Sequence, residues 1–139
     1  MLYAVIDPGV LVSALVAPKG APGQLLDLVL EQRFELVASP RLIGELTGVL
    51  LRERFRRYAS AAEVHEFVAD LAAVATLVPD PPDPAPIARD PNDDYLIALA
   101  VAARADMLVS GDRDLTDLAE PPVPVLTPRA FLDRFSEES

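Results

Sequence analysis

Four acidic residues drawn from four separate segments set the chemical possibilities of this chain. Asp7 closes the apolar run LYAVI, Glu45 borders an apolar helical stripe, Asp94 opens the apolar segment YLIALAVAA, and Asp112 follows the short run MLV. Each stands at or near the end of a strand or the start of a helix, and in a parallel sheet such positions converge on one edge. Oxygen-only ligands gathered there suit Mg2+ or Mn2+, which accept carboxylates and keep waters for substrate phosphate oxygens. A bound divalent ion lowers the pKa of its water toward an attacking hydroxide, and a second ion about 4 Å away would stabilise the leaving oxygen. Hydrolysis of a phosphodiester is the reaction such a pocket serves.

Composition removes the competing chemistries. Zero cysteines exclude disulfides, thiolate metal sites and cysteine nucleophiles, and the single histidine, His65, leaves no material for a histidine zinc site or a triad. Twelve basic residues against 22 acidic ones give a net charge of −10, which argues against gripping nucleic acid through bulk electrostatics. Acids that hold divalent ions would nonetheless leave a site near neutrality, able to accept a phosphate. A chain of 139 residues, 51% hydrophobic, fits one domain over 1–139, and a domain of that size buries roughly 70% of its unfolded surface. No apolar run reaches the roughly 20 residues of a membrane span. The start MLYAVIDP has no basic stretch ahead of its apolar one, so the expectation is a cytoplasmic protein without membrane contact.

The elements that must position the acids follow from periodicity and punctuation. LYAVI reads as a buried strand, and Pro8-Gly9 is expected to force a turn, which leaves Asp7 open to ordinary turn chemistry. A loop at Pro18 to Gly23 precedes a helix over Gln24 to Gln32, and FELVA is the second strand. Ser39-Pro40 starts a helix whose Leu42, Leu46, Val49 and Leu50 form one stripe, with Glu45 at its border, either addressing the site or paired with Arg41. If that helix runs on through LRERFRR, Arg52 and Arg56 lie about 10 and 16 Å beyond Glu45, as a positive rail or as a solvated face. Ser60 and Glu63 form a capping box for a helix through about Ala75, on which His65 faces solvent.

VPDPPDPAP is an extended connector. Asp90-Pro91 reads as N-cap and first helical residue, and Asp93 stands where a capping-box acid reaches back, so Asp94 is the acid left without a local duty. MLV is a short buried strand, and Ser110 to Asp114 turns out of it into another short helix. VPVL is a last strand, and Thr127-Pro128 caps a final helix. Strands alternating with helices imply a central parallel sheet in a three-layer α/β/α sandwich.

These blocks carry a resemblance. AVIDPGVLVSAL, SPRLIGEL, DPNDDYLIALAVAARADMLVSGDRDL and VLTPRAFL together resemble the PIN-domain family, and within it the VapC-like toxin components of toxin-antitoxin pairs. The resemblance spans essentially the whole chain. It implies a Mg2+- or Mn2+-dependent endoribonuclease with Asp7, Glu45, Asp94 and Asp112 as catalytic and metal-binding acids. Asp114 is a fifth candidate ligand, equally readable as a helix cap. The partners it implies are RNA, a cognate antitoxin that inserts into the acidic groove, and a second copy in a homodimer. Ser110 stands where the family has a threonine or serine beside the active site, and Arg113, Arg52 and Arg56 are the candidate phosphate contacts, each equally open to plain solvent exposure.

The chain departs from the family in one motif. Asp7-Pro8-Gly9 replaces an aspartate followed by polar residues, so the hydrogen bonds that would support Asp7 are expected to be missing. Losses of that kind weaken a metal site by about 10- to 100-fold. The alternative expectation is therefore a degenerate PIN-like module that binds a protein partner or RNA without cutting it.

Overall fold

The structure, a computed structural model, describes residues 1–82 and 91–138. Asp90, the expected cap of the acid-rich helix, lies outside the described residues.

Five strands, β1 (Tyr3–Ile6), β2 (Glu35–Ala38), β3 (Thr76–Leu77), β4 (Met107–Val109) and β5 (Val125–Leu126), form one sheet in the order β3-β2-β1-β4-β5. Every pairing is parallel, with Ala4 opposite Leu36 on one side of β1 and opposite Met107 on the other. Among the described residues the helices are α1 (Pro8–Val16), α2 (Ala21–Leu30), α3 (Pro40–Leu50), α4 (Ala61–Val74), α5 (Pro91–Ala102), α6 (Arg113–Thr116) and α7 (Pro128–Glu138).

Strand alternation divides the core into two layers. Ala4, Ile6, Leu36, Met107 and Val109 face a cluster supplied by α1, α2, α3, α4 and α7, whereas Val5, Val37 and Leu108 face one built mainly from α5. Successive side chains on a strand point to opposite faces, so both faces of this sheet are apolar because both are covered. The expected α/β/α sandwich with a parallel sheet is what forms.

Three strands pass directly into helices across one capping residue followed by proline: Asp7-Pro8, Ser39-Pro40 and Thr127-Pro128. The missing N–H of proline costs nothing in a helix's first turn, and its φ suits that position. Asp7-Pro8-Gly9 is thus a helix start and not the turn expected from its composition. The capping box of α4 has both halves, Glu63 N–H to Ser60 Oγ at 3.1 Å and Ser60 N–H to Glu63 Oε1 at 3.0 Å. The donated Ser60 N–H is the first cause holding the Glu63 carboxyl below its ordinary pKa. His65 on α4 is exposed, as expected.

Two elements differ from their expected bounds. The helix of Ser39 stops at Leu50, and a 3-10 turn over Glu53–Phe55 follows, so no rail continues to Arg56. On α2 the helix begins at Ala21, inside the expected loop, and a Cβ at Gly23 would come within 1.9 Å of the Pro18 carbonyl oxygen. Only glycine allows that approach.

Candidate active site

The strand order reverses direction beside β1, since β2 and β3 lie on one side of it and β4 and β5 on the other. Parallel sheets open a crevice at the carboxyl ends of the two strands flanking such a reversal. Here those strands are β1 and β4, which are followed directly by Asp7 and by Ser110-Gly111-Asp112.

Asp7 caps α1 with its side chain, Oδ1 accepting the Gly9 N–H at 3.0 Å. Its other oxygen, Oδ2, accepts the hydroxyl of Ser110 at 2.8 Å, and the Ser110 oxygen accepts the Asp112 N–H at 3.0 Å. Ser110 is fully buried. Asp112 in turn caps α6, with Oδ1 accepting the Asp114 N–H at 2.9 Å. The support for Asp7 that Pro8-Gly9 was expected to forfeit therefore comes from a backbone N–H and from Ser110. Ser110, expected beside the active site as a substrate-binding residue, is hydrogen-bonded to both Asp7 and Asp112.

A cleft of about 560 Å3 opens over this edge, and Asp7, Glu45, Asp93 and Asp112 all line it. Among the described residues Arg52 is the cation of the lining, and Pro8, Val49 and Leu96 supply apolar wall. A second groove of about 350 Å3 meets the first at Asp7 and Asp112 and is lined further by Ser13, Pro22, Gly111 and Pro128. The two acids line both grooves.

The acid-rich helix presents Asp93 to the cleft, where Asp94 was expected. Asp93 and Leu96, three residues apart and on one helical face, both line it; Asp94, one residue on, is rotated about 100° away. Both carboxylates are buried, Asp93 at 5% and Asp94 at 6% exposure, so burial alone does not separate them. Geometry does, because carboxylate oxygens of Asp93, Asp112 and Asp114 lie within 4.8 Å of one another. The expected capping duty of Asp93 is thus at most part of its role, and Asp94 is not among the acids brought together.

The donor set fits a small divalent cation. Ligands on opposite sides of an octahedral Mg2+ at about 2.1 Å stand about 4.2 Å apart, close to the 4.8 Å within which these oxygens lie. Asp114 joins this group while its own backbone is bonded to Asp112. Glu45 lines the same cleft, and its Oε1 accepts a hydrogen bond from Arg41 Nε at 3.2 Å.

The candidate phosphate contacts separate. Arg52 reaches the cleft. Arg56 does not: its Nη2 donates to the Leu50 carbonyl at 2.5 Å, capping the end of α3, because the chain turns at Leu51 and carries this side chain back onto the helix. Arg113 projects into solvent and stands 3.9 Å from Asp117 in an exposed pair.

A neighbouring network had no signature in the sequence. Tyr95, on α5, is 1% exposed; its hydroxyl donates to Asp80 Oδ1 at 2.6 Å and is also hydrogen-bonded to Ser39 Oγ. Asp80 further accepts the Arg41 N–H, at 3.2 and 3.3 Å to its two oxygens. Burial, and then the Asp80 carboxylate, push the Tyr95 phenol up to about 12. The same bond, followed by that of Ser39, holds Asp80 below its ordinary value. An acid in a proline-rich connector and a tyrosine in an apolar helix thereby tie the starts of α3 and α5 together.

Comparison with known proteins agrees with this architecture. The PIN domain family profile matches residues 3–114. The uncharacterized protein MJ1680 of Methanocaldococcus jannaschii is 27% identical over 146 residues, which covers 98% of this chain and 93% of that protein. Among solved structures, PAE2754 from Pyrobaculum aerophilum superposes with a TM-score of 0.70 at 16% identity, covering 98% of this chain and 90% of its own. VapBC2 from Rickettsia felis, solved bound to a DNA fragment from its promoter, superposes with a TM-score of 0.61 at 13% identity, covering 91% of this chain and 98% of its own. At those identities the structural likenesses speak for the fold. The family match extends over four of the five strands and over every acid of the cleft, and the chain belongs to the PIN domain family.

Proposed function

We propose that this protein is a Mg2+- or Mn2+-dependent endoribonuclease, the toxin of a toxin-antitoxin pair. The observation that carries the reading is the arrival of Asp7, Glu45, Asp93 and Asp112 on one cleft, with the Asp114 carboxylate beside Asp93 and Asp112. A divalent ion held there would supply an activated water and offset phosphate charge. The chain's own residues do the rest. Ser110 fixes Asp7 and Asp112 relative to each other, Arg52 offers a cation to a phosphate, and Pro8, Val49 and Leu96 form a wall against which a base or ribose lies. Two grooves that share Asp7 and Asp112 suit a strand that continues on both sides of the cut, which favours internal cleavage.

An acidic cleft is also a receptor for a basic side chain, and a cognate antitoxin would block the site by presenting one. A homodimer belongs to the same reading. The binding-only alternative rests on Pro8-Gly9, and the bonds that Gly9 and Ser110 make to Asp7 weigh against it. The test is cleavage of single-stranded RNA with Mn2+ by the wild type and by Asp93→Asn and Asp112→Asn. Each variant is expected to lose more than the ~10- to 100-fold typical of an outer partner of a metal site. Equal cleavage by all three proteins overturns the reading, and tight RNA or partner binding without metal binding favours the alternative.

A further inference from the structure

The two grooves that share Asp7 and Asp112 differ in the chemistry of their walls. Beyond those acids, the smaller one is walled mainly by Val10 and Ser13 of α1, Pro22 of α2 and Pro128 of α7. Val10 and Pro128 are buried and Pro22 is half-buried, so these apolar walls are held by the packing of three helix starts. Ser13 is exposed. It stands one helical turn beyond Gly9, which also lines the groove and adds no side chain to it.

No lysine, arginine or histidine is among the described residues that line this groove. A phosphate seated in it would face Asp7 and Asp112 with no cation of the wall to offset them, and like charges at close range repel. Two N–H groups at the starts of α1 and α7 are already bonded, Gly9 to Asp7 Oδ1 at 3.0 Å and Ala130 to Thr127 Oγ1 at 3.1 Å. The cleft on the other side offers Arg52. Phosphate is therefore drawn to the cleft, and the smaller groove suits an uncharged group. Apolar walls with a single neutral hydroxyl are how sites for small ring systems are built, and its volume of about 350 Å3 lies at the small end of their range of roughly 300–1,000 Å3.

We propose that this groove is a nucleobase pocket, which takes the base of a nucleotide adjoining the cut bond against Pro22 and Pro128, with Ser13 hydrogen-bonded to the edge of that base. The assignment rests on the nuclease reading and adds to it the residue that selects sequence. A hydroxyl both donates and accepts, so Ser13 sets a preference among bases while the apolar walls accept any of them.

The experiment compares the wild type, Ser13→Ala and Ser13→Leu on a pool of single-stranded RNA of randomised sequence with Mn2+, the cut ends being sequenced. The wild type is expected to show a base preference at one position beside the cut. Ser13→Ala, losing one hydrogen bond, should narrow that preference by roughly two- to ten-fold. Ser13→Leu, whose side chain occupies the groove, should abolish it and lower kcat/KM on the preferred RNA by about ten-fold or more. Removing the base at that position, in an RNA with one abasic site, should slow the wild type to the rate of Ser13→Leu and leave Ser13→Leu unchanged. Calorimetry should give all three proteins the same Mn2+ affinity. Cleavage by the wild type without base preference, or a preference that survives in both variants, overturns the inference and leaves the nuclease reading intact; so does a Mn2+ affinity that falls with the rate, which marks a structural role for Ser13. A wild type that cuts no RNA removes both.

Discussion

Asp7 and Ser110, 103 positions apart in the chain, are joined by a hydrogen bond of 2.8 Å across the carboxyl ends of two adjacent strands. Because the serine oxygen also accepts the Asp112 N–H, one buried hydroxyl sets the relative position of two acids. Ser110→Ala is expected to cost about 1 kcal/mol of stability and to weaken Mn2+ binding by about ten-fold. A denaturant melt and a calorimetric titration check the two effects separately.

Adjacent acids on α5 make a sharper comparison. Carboxylate oxygens of Asp93, Asp112 and Asp114 lie within 4.8 Å of one another, and Asp94 is not among the residues that line the cleft. Asp93→Asn is expected to weaken Mn2+ binding at least about ten-fold more than Asp94→Asn, given that a missing ligand costs more than a missing outer partner. Calorimetry on the two variants decides it, and the reverse order would return Asp94 to the site.

Gly48 lies within α3 and lines the cleft, and a Cβ there would meet nothing within 4 Å. Glycine inside a helix costs roughly 0.5–1 kcal/mol relative to alanine. Gly48→Leu is therefore expected to raise the melting temperature while lowering RNA cleavage, because its side chain fills space the strand would use. Melting and cleavage measured on one preparation test both halves.

Protonation reaches stability through the Tyr95–Asp80 bond. Tyr95 is raised from 10 to about 12, so its contribution is complete below pH 10 and is lost as the pH climbs toward about 12. Asp80 is lowered from 3.8, so its contribution is present above pH 3.8 and is lost as the pH falls through its folded value. The stability difference between the wild type and Tyr95→Phe should shrink at both extremes. Denaturant midpoints across pH measure it, and a constant difference would show that the bond is not what the tyrosine contributes.

Much of the fold was legible because its signals are local. Val5 between Ala4 and Ile6, the Ser60 and Glu63 box and the capping residues before Pro40 and Pro128 each act within a few positions. The strand Thr76–Leu77 was missed, being two residues long and defined by pairing with Val37 and Ala38. Asp7, Glu45 and Asp112 were legible as acids of one sheet edge because each follows or borders a recognisable apolar run, and all three line the cleft. The choice between Asp93 and Asp94 was not, since two consecutive helical acids differ only in azimuth, and azimuth is set by how α5 seats on the sheet. Arg56 was misplaced for a related reason: the sequence does not mark Leu50 as the end of its helix. Asp80 gave no sign at all, its partners lying 39 positions away at Arg41 and 15 away at Tyr95.

The single-residue hand-overs at Asp7, Ser39 and Thr127 leave the business end of the sheet almost no slack. A rim built this way has no long loop from those three strands to swing over a bound strand. Under the proposed function, discrimination among RNAs along this part of the rim rests on fit to a preformed surface, with docking and departure of the polymer setting its pace.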